Sequence, residues 1–135
     1  MTLVDANILL DIFTRNPDWH DWSVRRLDAA ALDGPLLIND VIYAETSVGF
    51  LRPDDFEAAL MRARVTVAPM PRLALFLAGK AFAEYRRRGG VRTGVLPDFF
   101  IGAHAMVERL PVLTRDQRHY RRYFPAVELI APGAE

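Results

Sequence analysis

Four carboxylates of this chain stand where a purely structural role is hard to supply. Asp5 and Asp116 each follow a short apolar run, Leu3-Val4 and Val112-Leu113-Thr114. Glu45 interrupts the stripe that Val41, Ile42, Val48 and Gly49 form at the i, i+3, i+4, i+7 spacing of one helix face. Asp98 opens Phe99 to Ala105, a segment apolar nearly all round and therefore expected to be a buried helix. A buried carboxylate costs free energy unless a cation or hydrogen-bond donors meet it. Each acid also has a plain structural reading. Asp5 can cap the helix after it, and Asp98 can sit in a first turn favoured by the helix dipole. Asp116 can hold a turn, and Glu45 can pair with an arginine.

Taken together, the four point to one chemistry. If they converge, like-charge repulsion raises their pKa values until a cation neutralises them. Magnesium is hard, takes oxygen ligands and is usually held by one or two carboxylates plus water and substrate phosphate. Zinc suits the chain less well: there is no cysteine, and His20, His104 and His119 lack ligand spacing. An all-carboxylate metal site is suited to hydrolysing phosphodiesters, where the ion activates water and offsets charge on the leaving oxygen.

Elements that position such acids are legible in the hydrophobic pattern. Short strands are expected at Thr2 to Val4, Leu36 to Ile38, Val65 to Val67, Pro111 to Thr114 and Val127 to Ile130. Between them, helices are expected from near Ile8, from Asp18 as N-cap to about Ala31, and from Val41 to Leu51, capped by Asn39 or Asp40. Further helices are expected from Pro53 to about Arg64, from Arg72 to Arg88 before Gly89-Gly90, and from Asp98 to Val107 behind Pro97. The stretch after Asp116 reads as a polar loop or short turn. Apolar strands alternating with helices define an α/β fold, a central parallel sheet covered on both faces. Ligands of such sheets bind outside the carboxyl ends of the strands, where Asp5 and Asp116 fall.

Composition narrows the class. A chain of 135 residues suits a single domain, 1–135, and 51% hydrophobic residues argue against disorder. Without cysteine, disulfides and thiolate catalysis are excluded. No apolar run approaches the roughly 20 residues that span a bilayer, and the first residues lack the pattern of a signal peptide. No membrane association and a cytoplasmic location are expected. The net charge is zero, yet residues 1–67 carry 11 acids against 6 arginines and residues 68–135 carry 6 acids against 11 cations. That split permits nucleic-acid contact on the basic side, where arginine grips phosphate with a planar fork.

The ordered set Val4-Asp5-Ala6-Asn7, Glu45, Leu96-Pro97-Asp98-Phe99-Phe100-Ile101-Gly102-Ala103-His104-Ala105 and Leu113-Thr114-Arg115-Asp116 resembles the PIN domain. It is most similar to the VapC-type toxins of toxin–antitoxin modules, over nearly the whole chain. The resemblance implies a five-stranded parallel sheet in which Asp5 ends the central strand. It implies that Asp5, Glu45, Asp98 and Asp116 line one acidic pocket for Mg²⁺ or Mn²⁺, with Asn7 and Thr114 orienting the acids or a water. It further implies an endoribonuclease acting on tRNA or ribosomal RNA, a homodimer, and inhibition by a cognate VapB-type antitoxin whose tail enters the groove.

Around Asp116 crowd Arg115, Arg118, His119, Arg121 and Arg122. Arg115 and Arg118 are candidates to hold RNA phosphates, against a solvated loop as the alternative. Trp19 and Trp22 lie one helical turn apart and suit either a groove or the core. His104, within a buried helix, is expected to be a hydrogen-bonded core residue. Two other functions stay open: a non-catalytic module that binds RNA or a partner, and an aspartate-based phosphatase. The phosphatase usually needs a second Asp two residues after the first, where this chain has Asn7.

Overall fold

The strand β1 (Thr2–Val4) is wholly buried, and it organises the computed structural model, which describes residues 1–92 and 94–133. It lies between β2 (Leu36–Ile38) and β4 (Val112–Leu113), pairing Thr2 with Leu36 and Val4 with Leu113. With β3 (Val65–Val67) and β5 (Leu129–Ile130) the order is β3-β2-β1-β4-β5, every neighbour parallel. The expected five-stranded parallel α/β sheet is present. The chain winds outward from β1 in one direction, then returns to its other side. The switch point therefore falls at the carboxyl ends of β1 and β4.

Local chemistry sets the helix boundaries. The helix α1 (Ala6–Phe13) begins two residues before the expected Ile8, because Asp5, itself extended, accepts the Ala6 N–H on Oδ1 at 2.8 Å. α2 (His20–Asp33) begins after Asp18 instead. Asn16 Oδ1 accepts the N–H groups of Asp18 and Trp19, at 2.9 and 3.1 Å, and holds Pro17 to Trp19 as a turn. For α3 (Asp40–Ser47) the cap is Asn39, which accepts the Ile42 N–H at 2.9 Å. This helix stops short of Leu51. Its last turn tightens through Gly49 and Phe50 N–H bonds to Thr46 and Ser47, and Pro53 forces Arg52 into an extended conformation. α4 (Pro53–Arg62) ends before Arg64, which is left-handed at φ 58°. α5 (Arg72–Arg87) ends before Gly89 at φ 90°, as the Gly89-Gly90 pair predicts.

α6 (Leu96–Glu108) is the buried helix expected behind Pro97, with Phe99, Ile101, Ala103, His104 and Ala105 all nearly inaccessible. The stretch after Asp116, expected as a polar loop or short turn, is a further helix, α7 (Arg118–Tyr123). One apolar cluster packs around the sheet and includes Leu3, Ile8, Leu27, Ile38, Phe56, Leu113 and Tyr120. A second, between α5 and α6, gathers Ala74, Ala78, Phe99, Ala103 and Phe124. Gly102 permits that second cluster. A Cβ there would fall 2.3 Å from the ring of Phe124, so only glycine lets the end of α7 lie flat on α6. That packing delivers His119 and Tyr120 to the head of the sheet. Among the described residues no helix is long and apolar enough to cross a membrane.

Candidate active site

Asp5 projects from the end of the central strand into a buried position, 5% exposed. Its Oδ1 accepts the Ala6 N–H, and its Oδ2 accepts both the Thr114 hydroxyl and the Tyr120 hydroxyl, each at 2.8 Å. A carboxylate has about four lone-pair sites, so these three donors leave one free. Burial pushes the Asp5 carboxyl above its ordinary value, the three hydrogen bonds oppose that, and the Asp116 charge adds to it. Tyr120, almost wholly buried, has its hydroxyl pushed far up by burial and by Asp5, and so remains a donor.

Two more acids face Asp5 from neighbouring helices. Glu45, on α3, is pushed up to about 7 by burial and then by the charges of Asp5 and Asp98. Its Oε1 is buried with no hydrogen-bond partner among the described residues. The stripe that located Glu45 is only partly buried: Ile42 and Thr46 face the core, whereas Val48 is exposed. Asp98, in the first turn of α6, is pushed up to about 6 by burial and Asp5, with His119 opposing. Nδ1 of His119 donates to Asp98 Oδ2 at 2.9 Å.

Asp116 sits at the rim. Arg118 grips both its oxygens, at 3.0 and 2.8 Å, and this hydrogen bonding holds its carboxyl below the ordinary value. Its charge still reaches Asp5 and Asp98. Asp5, Glu45 and Asp98 thus form a mutually repelling inner set, and Asp116 is an outer member already partnered. Thr114 binds the set together: its hydroxyl donates to Asp5 and accepts from Asn7 Nδ2 and from the Asp116 N–H, both at 3.2 Å. Asn7 Oδ1 in turn accepts the Arg115 N–H at 3.1 Å.

Arg115 departs from its sequence-based expectation. Its guanidinium is committed to buried Asp11, with Nε to Oδ2 at 2.6 Å and Nη2 to Oδ1 at 2.8 Å. It lies 5.0 Å over the Trp19 ring, and Ser23 completes the Asp11 shell. A guanidinium so engaged is an anchor for the β4–α7 loop, not a free phosphate ligand. Trp19 also meets Trp22 edge to face at 5.7 Å, so this pair packs against the anchor.

Sequence reasoning did not single out Asp11, Tyr120 or the His119–Asp98 contact. Tyr120, Tyr123 and Phe124 recur at i, i+3, i+4, a helical signal the surrounding arginines obscured.

Could these acids hold a divalent cation? Among the described residues no group of three His, Cys, Asp or Glu side chains is arranged to grip one ion. The donor chemistry nevertheless fits. Three hard carboxylates are raised by burial, two of them further by the Asp5 charge, one carboxylate oxygen is buried without a partner, and no lysine or arginine bonds to any of the three in the described contacts. Magnesium needs only one or two carboxylates when waters complete its octahedron.

Residues 2–125 match the family model for the PIN domain, and the chain belongs to that family. The fold is similar to a chain of VapBC2 from Rickettsia felis bound to a promoter DNA fragment, with TM-score 0.73, 18% identity, and 96% of this chain and 97% of that one covered. It is similar also to FitAcB from Neisseria gonorrhoeae, with TM-score 0.69, 19% identity and 100% of both chains covered. A toxin–antitoxin complex from Klebsiella pneumoniae superposes with TM-score 0.65, 22% identity and 98% of both chains covered. No curated protein matches the chain.

Proposed function

We propose that this chain is a Mg²⁺- or Mn²⁺-dependent endoribonuclease and the toxin of a toxin–antitoxin pair, acting in the cytoplasm. One observation carries the reading: at the switch point of a parallel sheet burial raises the pKa values of Asp5, Glu45 and Asp98, the Asp5 charge raises the other two further, and no lysine or arginine bonds to any of the three among the described residues. Such a cluster costs stability in the bare protein, so it is expected where charge is supplied from outside. PIN domains are generally nucleases, which agrees with that expectation.

One or two of the Asp5, Glu45 and Asp98 carboxylates would hold the ion, with waters completing its shell. When bound, it supplies water activation and offsets charge developing on the phosphodiester oxygens. The rest falls to this chain's own residues. Thr114 and Tyr120 fix the Asp5 carboxylate from the side away from its free lone pair. His119 holds Asp98 in one orientation through Oδ2. Asp116 and Arg118 form an exposed pair, 45% and 75% accessible, and such pairs contribute little to stability. Arg118 is therefore free to exchange Asp116 for a substrate phosphate. Arg115, locked on Asp11, is left out of that role.

The antitoxin is proposed as partner because a structurally similar protein is a toxin–antitoxin complex; a second copy of the chain and a tRNA or ribosomal RNA substrate are proposed with it. The phosphatase reading is disfavoured, because an Asp5 so enclosed by donors makes a poor nucleophile.

Cleavage of total RNA by wild type and Asp98→Asn in Mn²⁺, with Mn²⁺ calorimetry on both, tests the reading. Wild type is expected to cleave and to bind the ion, and the variant to lose both while unfolding cooperatively. Cleavage by wild type in excess chelator, or by Asp98→Asn at the wild-type rate, would rule it out. Wild type that binds RNA but neither Mn²⁺ nor cleaves supports the non-catalytic module instead.

A further inference from the structure

A cavity of about 480 Å³ opens beside the acidic cluster, and Glu45 is part of its wall. The remaining wall is almost entirely apolar: Val41 and Ala44 from α3, then Leu96, Pro97 and Phe100 from the first turns of α6. Asp40, exposed at the start of α3, stands on its rim. The volume lies within the range of small-molecule sites, and a mostly apolar cleft with a few polar groups is their usual construction. None of the interactions described for the acidic cluster uses Phe100 or Asp40.

We propose that this cavity is a base subsite, taking the nucleobase adjacent to the scissile phosphate of an RNA, with its ring against Phe100 and its amino edge toward Asp40. The inference rests on the ribonuclease reading and adds a substrate preference to it. Continuity with Glu45 identifies the occupant. A phosphate at the carboxylate cluster carries a base one sugar away, and the apolar walls begin where the acids end. Asp40 on the rim disfavours anionic backbone inside the cleft, whereas a flat neutral ring is accepted. Base–aromatic contact is tolerant of sequence, so selection falls to Asp40. An ionised carboxylate only accepts hydrogen bonds. Guanine presents two adjacent donors, and adenine and cytosine present an amino group. Uracil presents a single N–H flanked by two carbonyls that repel the carboxylate. The subsite therefore favours amino-bearing bases, guanine most, over uracil.

The test uses short single-stranded RNAs that differ in the one base beside the cleavage point, and versions of each in which CH₂ replaces the leaving bridging oxygen of the scissile phosphate, a bond that water attack cannot break, for binding. Wild type is expected to cleave, and to bind in the uncleavable form, amino-bearing bases about tenfold better than uracil, the size of one good carboxylate–base contact. Asp40→Asn, whose amide both donates and accepts, should abolish that ratio. Phe100→Leu keeps the apolar volume and removes the ring face, and should weaken all four RNAs about tenfold. Circular dichroism confirms that both variants are folded. Unchanged ratios and affinities in both variants overturn the subsite. So does a Phe100→Leu effect confined to oligomeric state by light scattering, which assigns the cavity to a second copy of the chain. Cleavage without base preference ends the subsite and leaves the nuclease standing; base-selective binding without cleavage does the reverse.

Discussion

The side-chain amide of Asn39 donates to Nδ1 of His104 across 3.0 Å inside the core, tying the helix that carries Glu45 to the helix that carries Asp98. Asn39 has no freedom to flip. Its Oδ1 is occupied by the Ile42 N–H as the cap of α3, so its NH₂ must face the ring. Nδ1 is then an acceptor, and the ring is neutral with its proton on Nε2. The separation of the two acids thus depends on one buried tautomer.

Replacing His104 by Leu, close in bulk but unable to accept, strands the Asn39 amide. The loss is expected to be about 1–3 kcal/mol, read by urea denaturation, with a lower cleavage rate as the acids lose register. The pH dependence has a defined sign. Burial holds the His104 ring below its ordinary value, with Glu108 opposing. The unfolded chain therefore binds a proton that the folded protein refuses as pH drops below about 6.5. Stability from this group is complete above that value and declines as pH falls toward the lowered folded one. His104→Leu should remove that acid slope; an identical slope in both proteins would refute a buried ring held neutral.

Glu45 acts in the opposite sense. Its folded value of about 7 lies above the ordinary 4.5, so the folded, ion-free protein holds a proton that the unfolded chain releases. Stability without metal should therefore fall as pH rises from about 4.5 through 7. Glu45→Gln is expected to raise the melting temperature in chelator at pH 8 by about 3 °C, or about 1 kcal/mol, while abolishing cleavage. A melting temperature lowered by the substitution would mean that Glu45 has a stabilising partner.

Asp11 and Arg115 are expected to behave as one unit. Truncating Arg115 to Ala leaves a buried carboxylate, 2% exposed, without its cation, at a cost of about 3–5 kcal/mol. Asp11→Ala with Arg115→Ala should be far less damaging than the two single changes summed, since no uncompensated charge remains. A double-mutant cycle in urea measures the coupling, and strict additivity would show the pair to be unimportant. Because the Arg115 N–H also reaches Asn7, loosening this anchor should lower cleavage as well.

Much of the architecture was legible because it obeys local rules. Five apolar runs bounded by turn residues marked the strands, and all five appear in parallel. Pro97 and the Gly89-Gly90 pair bounded α6 and α5 because ring geometry and left-handed backbone act within a few residues. Asp5, Glu45, Asp98 and Asp116 stood out for the same reason: a carboxylate among apolar neighbours breaks a pattern measured along the chain.

What sequence spacing does not contain is which side chains meet across it. The α7 helix was hidden because arginines mask its apolar side, and its inward face exists only where Gly102 lets Phe124 approach α6. Tyr120 reaches Asp5 across 115 positions, and Arg115 reaches Asp11 across 104. The residue types that can do chemistry were thus determined by the sequence alone. Tertiary packing decided which acids remain unrelieved, as Glu45 does, and which are already paired, as Asp116 is with Arg118. Burial and electrostatic repulsion act through space, between groups whose order along the chain does not reveal their distance.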